Sequence, residues 1–189
     1  MKTTKIVTAL CLMGLGAGLL WGSQWIMHKT STPEFCVSCH SMDYPRQEWE
    51  GSKHFANAKG IRAECVDCHI PQEGWHYVKA KFIALKDLYF ETVGKLDSKE
   101  KYEQHRAELA QAVWDDLKAT DSETCRSCHS FDAMELSQQT KLAKQMHIEA
   151  NANKQTCIDC HKGIAHFLPV MHAEESADKS ATPKGSNIV

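Results

Sequence analysis

The longest uninterrupted apolar stretch lies close to the N-terminus. Residues 6–27 contain no charged side chain, and Lys2 and Lys5 precede them. At about 1.5 Å per residue, a helix of this length crosses the hydrocarbon core of a bilayer. Trp21 and Trp25 lie near its far end, where aromatic residues gather at a membrane surface. The pattern predicts a transmembrane helix.

A cleaved secretory signal peptide is the competing interpretation of the same stretch. Its apolar region would be about 7–15 residues long, shorter than this one, and small residues would mark the cleavage site. Here the sequence after Trp21 is bulky. We therefore predict that residues 1–30 form an uncleaved, single-pass anchor. The lysines before it favour a cytoplasmic N-terminus, which leaves the rest of the chain on the outer side.

Helical periodicity dominates the remaining sequence, and strand patterns are absent. Apolar residues recur at helical spacing over residues 77–93, 98–119 and 132–150. Asp132 is a candidate N-cap for the third of these helices. Residues 171–189 are polar and are predicted to form a disordered tail. The expected fold class is mainly α and loop-rich.

Composition narrows the class of protein further. The chain has 189 residues and a formal charge of −2, which gives no reason to expect a nucleic-acid partner. Only 8% of the residues are aromatic, so a chain this loop-rich would have a thin side-chain core. Large bound cofactors would supply the apolar surface that such a thin core lacks.

Eight of the nine cysteines fall into four copies of Cys-x-x-Cys-His. The copies are Cys36-Val-Ser-Cys39-His40, Cys65-Val-Asp-Cys68-His69, Cys125-Arg-Ser-Cys128-His129 and Cys157-Ile-Asp-Cys160-His161. This motif is typical of c-type haem attachment, in which both thiols form thioethers and the histidine binds the iron. Zinc or disulfide formation would not require a histidine after every pair. The motifs predict a tetrahaem cytochrome c whose task is electron transfer.

The spacing of the motifs suggests an internal duplication. Their first cysteines stand at 36, 65, 125 and 157, so a long gap separates two short ones. We predict a tetrahaem domain over residues 31–170, built as two dihaem units at about 31–96 and 121–170. In bacteria c-type haem is attached in the periplasm, which agrees with the predicted orientation of the anchor.

A low-spin c haem needs a second strong axial ligand, usually His or Met. Three histidines outside the motifs are the best candidates, namely His54, His147 and His166. His105 and His76 could each bind a haem iron or lie on the surface as ordinary side chains, and both alternatives stay open. His28 and His172 are expected to face solvent.

Three candidates for four irons suggest that one haem differs. The first motif is nearest the anchor, and Met42 lies two residues beyond His40. A thioether at this position could compete with His40 for the iron and would raise the reduction potential. Alternatively, Met42 packs against the porphyrin.

Three segments carry a resemblance to a known family. They are Phe35-Cys36-Val37-Ser38-Cys39-His40-Ser41-Met42, Lys86-Asp87-Leu88-Tyr89 and Cys157-Ile-Asp-Cys-His-Lys-Gly-Ile-Ala-His166. With the anchor and the motif gaps, the chain resembles the NapC/NirT/NrfH family of membrane-anchored quinol dehydrogenases, from about residue 5 to Pro169. It looks most like NapC or NirT. Pentahaem relatives that serve trimethylamine N-oxide reductase carry a further haem domain, which is not expected here.

The resemblance implies a specific function at the bacterial inner membrane. Members oxidise menaquinol or ubiquinol near the first haem and pass electrons to a periplasmic reductase, here of the nitrate or nitrite type. In one branch the methionine matching Met42 binds the first haem, and an acidic residue matching Asp87 lies on its open side. Lys81 and Lys86 are candidates for the quinol pocket. Gln72 departs from the family, because many members have a histidine there.

Two rival functions and one assembly remain open. An open haem could itself reduce nitrite or a small N-oxide, although the Cys-x-x-Cys-Lys motif typical of such reductases is absent. The chain could also serve only as an anchor or electron store. Gly14, Gly18 and Gly22 would let a second helix approach closely, so a homodimer formed through this helix is open.

Overall fold

The computed structural model describes residues 2–72 and 74–170, so His172 and the predicted tail at 171–189 lie outside the described residues. Within these residues the secondary structure is helical, with no strand. The α-helices are α1 Lys2–Lys29, α2 Pro33–Cys36, α3 Asp43–Glu50, α4 Cys65–His69, α5 Gly74–Thr92, α6 Lys99–Ala119, α7 Glu123–Arg126, α8 Lys141–Ala152 and α9 Cys157–Cys160. Three 3₁₀ turns span His40–Met42, Phe131–Ala133 and Leu136–Gln138. The predicted mainly α fold class is confirmed.

Helix α1 has the features expected of a membrane anchor. It is 28 residues long with a mean hydropathy of 1.8 in its most apolar window, and none of its residues is buried by the rest of the chain. It is the one helix among the described residues that is long and apolar enough to span a bilayer. Its apolar side chains are therefore available to lipid.

The middle helices match their predicted positions, whereas the third predicted helix starts later. Ser98 caps α6, and its side chain accepts a hydrogen bond from the Lys101 amide at 3.3 Å. The prediction that Asp132 starts a helix is wrong. The backbone of Met134 is extended, which interrupts the helix, and Thr140 caps α8 instead by accepting from the Ala143 amide at 3.2 Å.

The side-chain core is sparse, as the composition suggested. Leu96 and Ile158, which are 8% and 7% exposed, form the buried hydrophobic core of the described residues. The packing that joins the chain runs mainly between short helices, with α2 against α4, α4 against α7 and α6 against α9. Each of these contacts involves a helix of a Cys-x-x-Cys-His motif, so the arrangement of the motifs is the organising feature of the fold.

Ser122 joins the end of α6 to α9. It is completely buried and has a left-handed backbone with φ of 51°. Its amide donates to the Leu117 carbonyl, and its hydroxyl oxygen accepts from the Ile158 amide at 3.2 Å. This single side chain therefore fixes the fourth motif against the segment that precedes the third.

We expect Ser122→Ala to destabilise the holoprotein by about 1–3 kcal/mol, because the buried Ile158 amide loses its acceptor. Thermal and denaturant unfolding would measure the change. Ser137→Ala is the matched control, since Ser137 is exposed and its hydroxyl bonds only within its own turn. Equal effects of the two substitutions would contradict this role of Ser122.

Candidate functional site

Short helices present the four motifs, and two of these helices are capped by the motifs themselves. The Asp67 carboxylate accepts from the Glu64 amide at 2.8 Å, at the start of α4. In α9 the equivalent Asp159 carboxylate accepts from the Thr156 amide at 2.9 Å. The aspartate between the two cysteines thus satisfies an amide that a helix start leaves free, and it fixes the direction of the thiols.

The motifs lie side by side in chain order. The thiols of Cys36 and Cys65 are close enough to interact, and this interaction lowers the pKa of Cys36 to about 7 and raises that of Cys65. Cys68 is close enough to Cys125 for their charges to interact, and Cys125 in turn to Cys157. Groups attached to these thiols would form a continuous series from the first motif to the fourth.

Three motif histidines face a second histidine ring. The ring centroids are 6.3 Å apart for His54 and His129, 6.1 Å for His69 and His166, and 5.8 Å for His147 and His161. Two imidazoles bound on opposite sides of one metal ion have centres about 6 Å apart, since each metal–nitrogen bond is about 2 Å. The three pairs therefore have the spacing of axial ligands on either side of an iron.

The donor chemistry also fits haem. All nine cysteines lie in the described part of the chain and are free thiols. In residues 2–72 and 74–170 no three His, Cys, Asp or Glu side chains converge as they would on a metal ion bound directly. The Nδ1 atoms of His54 and His166 are buried without a hydrogen-bond partner, so neither ring is held by a hydrogen bond from this nitrogen.

His147 has its own positioning partner. Its Nδ1 lies 2.7 Å from the Gln139 side-chain oxygen, an acceptor, so Nδ1 carries the proton. The neutral ring then keeps a lone pair on Nε2, which is the form that binds a metal. Gln139 therefore selects the tautomer of His147 that axial ligation needs.

The pKa of the His69 imidazole is lowered. Desolvation of the ring and, to a smaller extent, the nearby His166 together bring the pKa of His69 to about 4, although the residue keeps exposed surface. A lowered pKa keeps the imidazole uncharged over a wider pH range, and the uncharged form is the ligand.

Two of the histidine pairs join the two predicted dihaem units. His54 comes from the first unit and faces His129 of the second, whereas His166 comes from the second and faces His69 of the first. His147 faces His161 within its own unit. His54 and His147 occupy matching places in the two units, but their partners do not match. The partner of His54 lies in the other unit, whereas the partner of His147 lies in the same unit.

The first motif differs from the other three in its histidine. All four motif histidines are exposed, but His40 is the one that has no second imidazole ring beside it among the described residues. Its backbone amide donates to Glu91 of α5 at 3.2 Å, and the Ser41 hydroxyl donates to the same carboxylate at 2.6 Å. Met42 is half-buried at the end of the same turn. This motif is thus fixed to α5 through Glu91.

Lys81 connects the first motif to the end of the membrane helix. Its Nζ donates to the carbonyl oxygen of Thr30 at 2.7 Å and to the hydroxyl oxygen at 3.2 Å. Partial burial lowers the pKa of Lys81, and the nearby Cys36 thiolate opposes this effect. Ser31 and Tyr77 also approach, at 3.4 Å between hydroxyls. Helix α5 therefore starts beside the C-terminal end of α1 and runs past the first motif.

Residues 1–171 match the N-terminal region of the NapC/NirT cytochrome c family. The chain belongs to this family. It is 74% identical to cytochrome c-type protein TorY of Haemophilus influenzae over 99% of the chain and 51% of TorY. It is 44% identical to NapC of the same organism, over 92% of the chain and 87% of NapC. No solved structure matches.

A further relative, a tetraheme cytochrome-c type protein of Allochromatium vinosum, is 43% identical over 85% of the chain and 88% of its own length. The chain spans about half the length of the TorY proteins that it matches. Membership of this family confirms the prediction of a membrane-anchored, multihaem, electron-transfer cytochrome with covalently bound haem c. The similarity to NapC confirms the predicted kinship with that protein.

The remaining candidates of this cytochrome lie away from the histidine pairs. His76 pairs with Glu123 at 2.9 Å and His105 with Glu108 at 3.0 Å, both near the surface. His28 is exposed. Lys86 and Asp87 are also exposed on α5; desolvation raises the pKa of Asp87, and Lys86 lowers it.

Two groups of residues were missed from the sequence. Glu91, which holds the first motif, lies one helical turn after Asp87, so the same helix face could have indicated it. Glu48 and Arg106 form a buried ion pair beside His166, and they are 58 residues apart in the sequence. No local pattern signals such a pair.

Proposed function

We propose that this chain oxidises membrane quinol beside the first motif and passes the electrons through four c haems to a periplasmic reductase. The observation that carries the proposal is that His40, alone among the four motif histidines, has no second imidazole ring beside it among the described residues. Its motif is bonded to α5, whose Lys81 donates to Thr30 at the end of the membrane helix. A quinol head group at the bilayer surface would reach this motif before the others.

The exposed face of α5 supports access from the membrane. Its uncovered apolar side chains recur at helical spacing and include Phe82, Leu85 and Tyr89, and the exposed Val93 directly follows the helix. Such a stripe, with Lys86 beside it, suits the region where head groups meet acyl chains. The helix could therefore border a quinol without burying a charged group.

Haem c supplies one-electron carriers when bound. We assign Cys36, Cys39, Cys65, Cys68, Cys125, Cys128, Cys157 and Cys160 to its attachment. The proposed axial pairs are His69 with His166, His129 with His54, and His161 with His147. At the first motif, His40 and Met42 are the alternative ligands. The one exceptional site is then the one nearest the membrane.

Each quinol releases two electrons and two protons, and the electrons leave in two one-electron steps. The protons need acceptors. Asp87 on α5 is proposed as the base, with Lys81 and Lys86 orienting the quinol oxygens. A carboxylate whose pKa is raised by desolvation is a better base than an ordinary aspartate.

The acceptor is proposed to be a reductase of the nitrate or nitrite type, because of the kinship with NapC. The higher identity with TorY makes the acceptor of TorY the competing candidate. We propose a periplasmic haem domain with the N-terminus in the cytoplasm, and keep the glycine-mediated homodimer as a prediction. The family does not favour direct reduction of nitrite by this chain.

The test is reconstitution of the full-length holoprotein in liposomes. Menaquinol or ubiquinol should reduce its haems within seconds, and adding a competent reductase with its substrate should reoxidise them. Nitrite alone should not. Failure of both quinols, while dithionite reduces every haem, would contradict the proposal; turnover of nitrite without a reductase would favour the direct enzyme.

A further inference from the structure

The segment that carries His166 is held from outside by one buried ion pair. Glu48 of α3 and Arg106 of α6 have side chains that are only 7% and 11% exposed. Their contact is bidentate, with Arg106 Nη2 donating to Glu48 Oε1 at 2.6 Å and Nη1 to Oε2 at 3.1 Å. Bidentate pairs fix both position and orientation.

Both residues also bind the backbone beside His166. The Phe167 amide donates to Glu48 Oε2 at 2.9 Å, and Arg106 Nη1 donates to the Phe167 carbonyl oxygen at 3.3 Å. The two polar groups of one peptide residue are thus held by opposite charges. Because its amide and its carbonyl are both bonded, Phe167 holds the C-terminal segment in place beside α3 and α6.

The same carboxylate lies next to the imidazole. Glu48 Oε2 is 3.7 Å from His166 Nδ1, a buried atom that makes no hydrogen bond. The centroid of the His166 ring is 6.1 Å from that of His69. A ligating histidine ordinarily directs its second ring nitrogen at a carboxylate or carbonyl, which fixes the ring and raises its basicity. Glu48 and the Pro45 carbonyl are the acceptors beside the His166 ring.

We propose that the Glu48–Arg106 ion pair positions His166 so that His166 and His69 would together hold the iron of one haem, and that the pair would set the reduction potential of that haem. The inference rests on the proposed haem ligation. The negative charge of Glu48 would stabilise the oxidised iron, whereas Arg106 would balance this charge and ties α6 to the C-terminal segment. One ion pair thereby links the first unit, the central helix and the end of the second unit.

The experiment uses the full-length holoprotein and measures spin state, cyanide binding and the potential of each haem. Glu48→Ala and Arg106→Ala should create a partial high-spin signal at one haem. Cyanide should bind that haem about 10–100-fold more tightly, since a second-shell partner is worth that factor in ligand affinity. Free imidazole should restore the low-spin spectrum.

Glu48→Gln separates charge from shape. It keeps an acceptor for Phe167 and should keep the low-spin spectrum, but it should raise the potential of one haem because a negative charge is lost. Glu103→Gln is the matched control, since Glu103 binds Arg106 from solvent without contacting Phe167 or His166. Glu50→Gln on α3 controls for a surface charge.

The His166→Ala variant separates two hypotheses, namely that His166 binds a haem iron and that the ion pair positions it. If His166→Ala leaves all four spectra unchanged, the proposed ligation itself is wrong. If it produces one high-spin haem but Glu48→Ala and Arg106→Ala match the Glu103 control, only the positioning role is overturned. If the Glu48→Ala and Arg106→Ala variants lose all haems while His166→Ala retains four, the positioning role is also overturned. The ion pair would then be needed for folding in general.

Discussion

Replacing His54 by alanine is expected to convert one haem from low spin to high spin, and that haem should be the one attached to Cys125 and Cys128. The expectation follows from the His54 ring, which faces His129 at 6.3 Å although it belongs to the first predicted unit. Removal of a sixth ligand changes the spin state completely at one site. Magnetic circular dichroism and electron paramagnetic resonance would count the high-spin haems per chain.

Double variants would identify the shared haem. His54→Ala combined with His129→Ala should alter one haem, because both histidines belong to the same pair. His54→Ala combined with His147→Ala should alter two. His76→Ala and His105→Ala are controls that should alter none, since both rings lie in ion pairs near the surface. Two altered haems in the first double variant would contradict the pairing across units.

The sequence predicted the helices and the haem motifs better than it predicted which histidines lie next to one another. The charge-free run, the helical stripes and the four motifs are local features, and each depends on residues a few positions apart. His54, His147 and His166 could be chosen because they lie beside the motifs. Their partners could not, because the approach of His166 to His69 depends on how the C-terminal segment returns to α3 and α6.

The late start of α8 has a local cause that the helical stripe concealed. Met134 and Leu142 both fit an apolar periodicity, so residues 132–150 resembled one helix. The Ser130 and Glu135 side chains instead accept hydrogen bonds from amides two residues further on, and side chains that do so compete with helix formation. Gln139 and His147 then meet across the first turns of the shorter helix.

Asp87→Asn is expected to slow haem reduction by quinol about 100-fold, because a positioned base contributes a factor of about 10²–10⁴. Reduction by dithionite should be unchanged. Desolvation raises the pKa of Asp87, so in the parent protein the rate should fall as pH decreases through a value above that of an ordinary aspartate. Stopped-flow measurement over a pH series would show whether Asp87→Asn removes this dependence.

Lys81→Gln should also slow the quinol reaction, but by another route. It removes the bonds between α5 and Thr30, so the apparent quinol affinity should weaken more than the limiting rate. Lys79→Gln is the matched control, because Lys79 is exposed on the same helix. If Asp87→Asn and Lys81→Gln both keep the parent rate and affinity, quinol reaches the first motif elsewhere. An effect of Lys81→Gln alone would leave α5 as the quinol-binding helix and would require another base, with Glu91 the nearest carboxylate to His40.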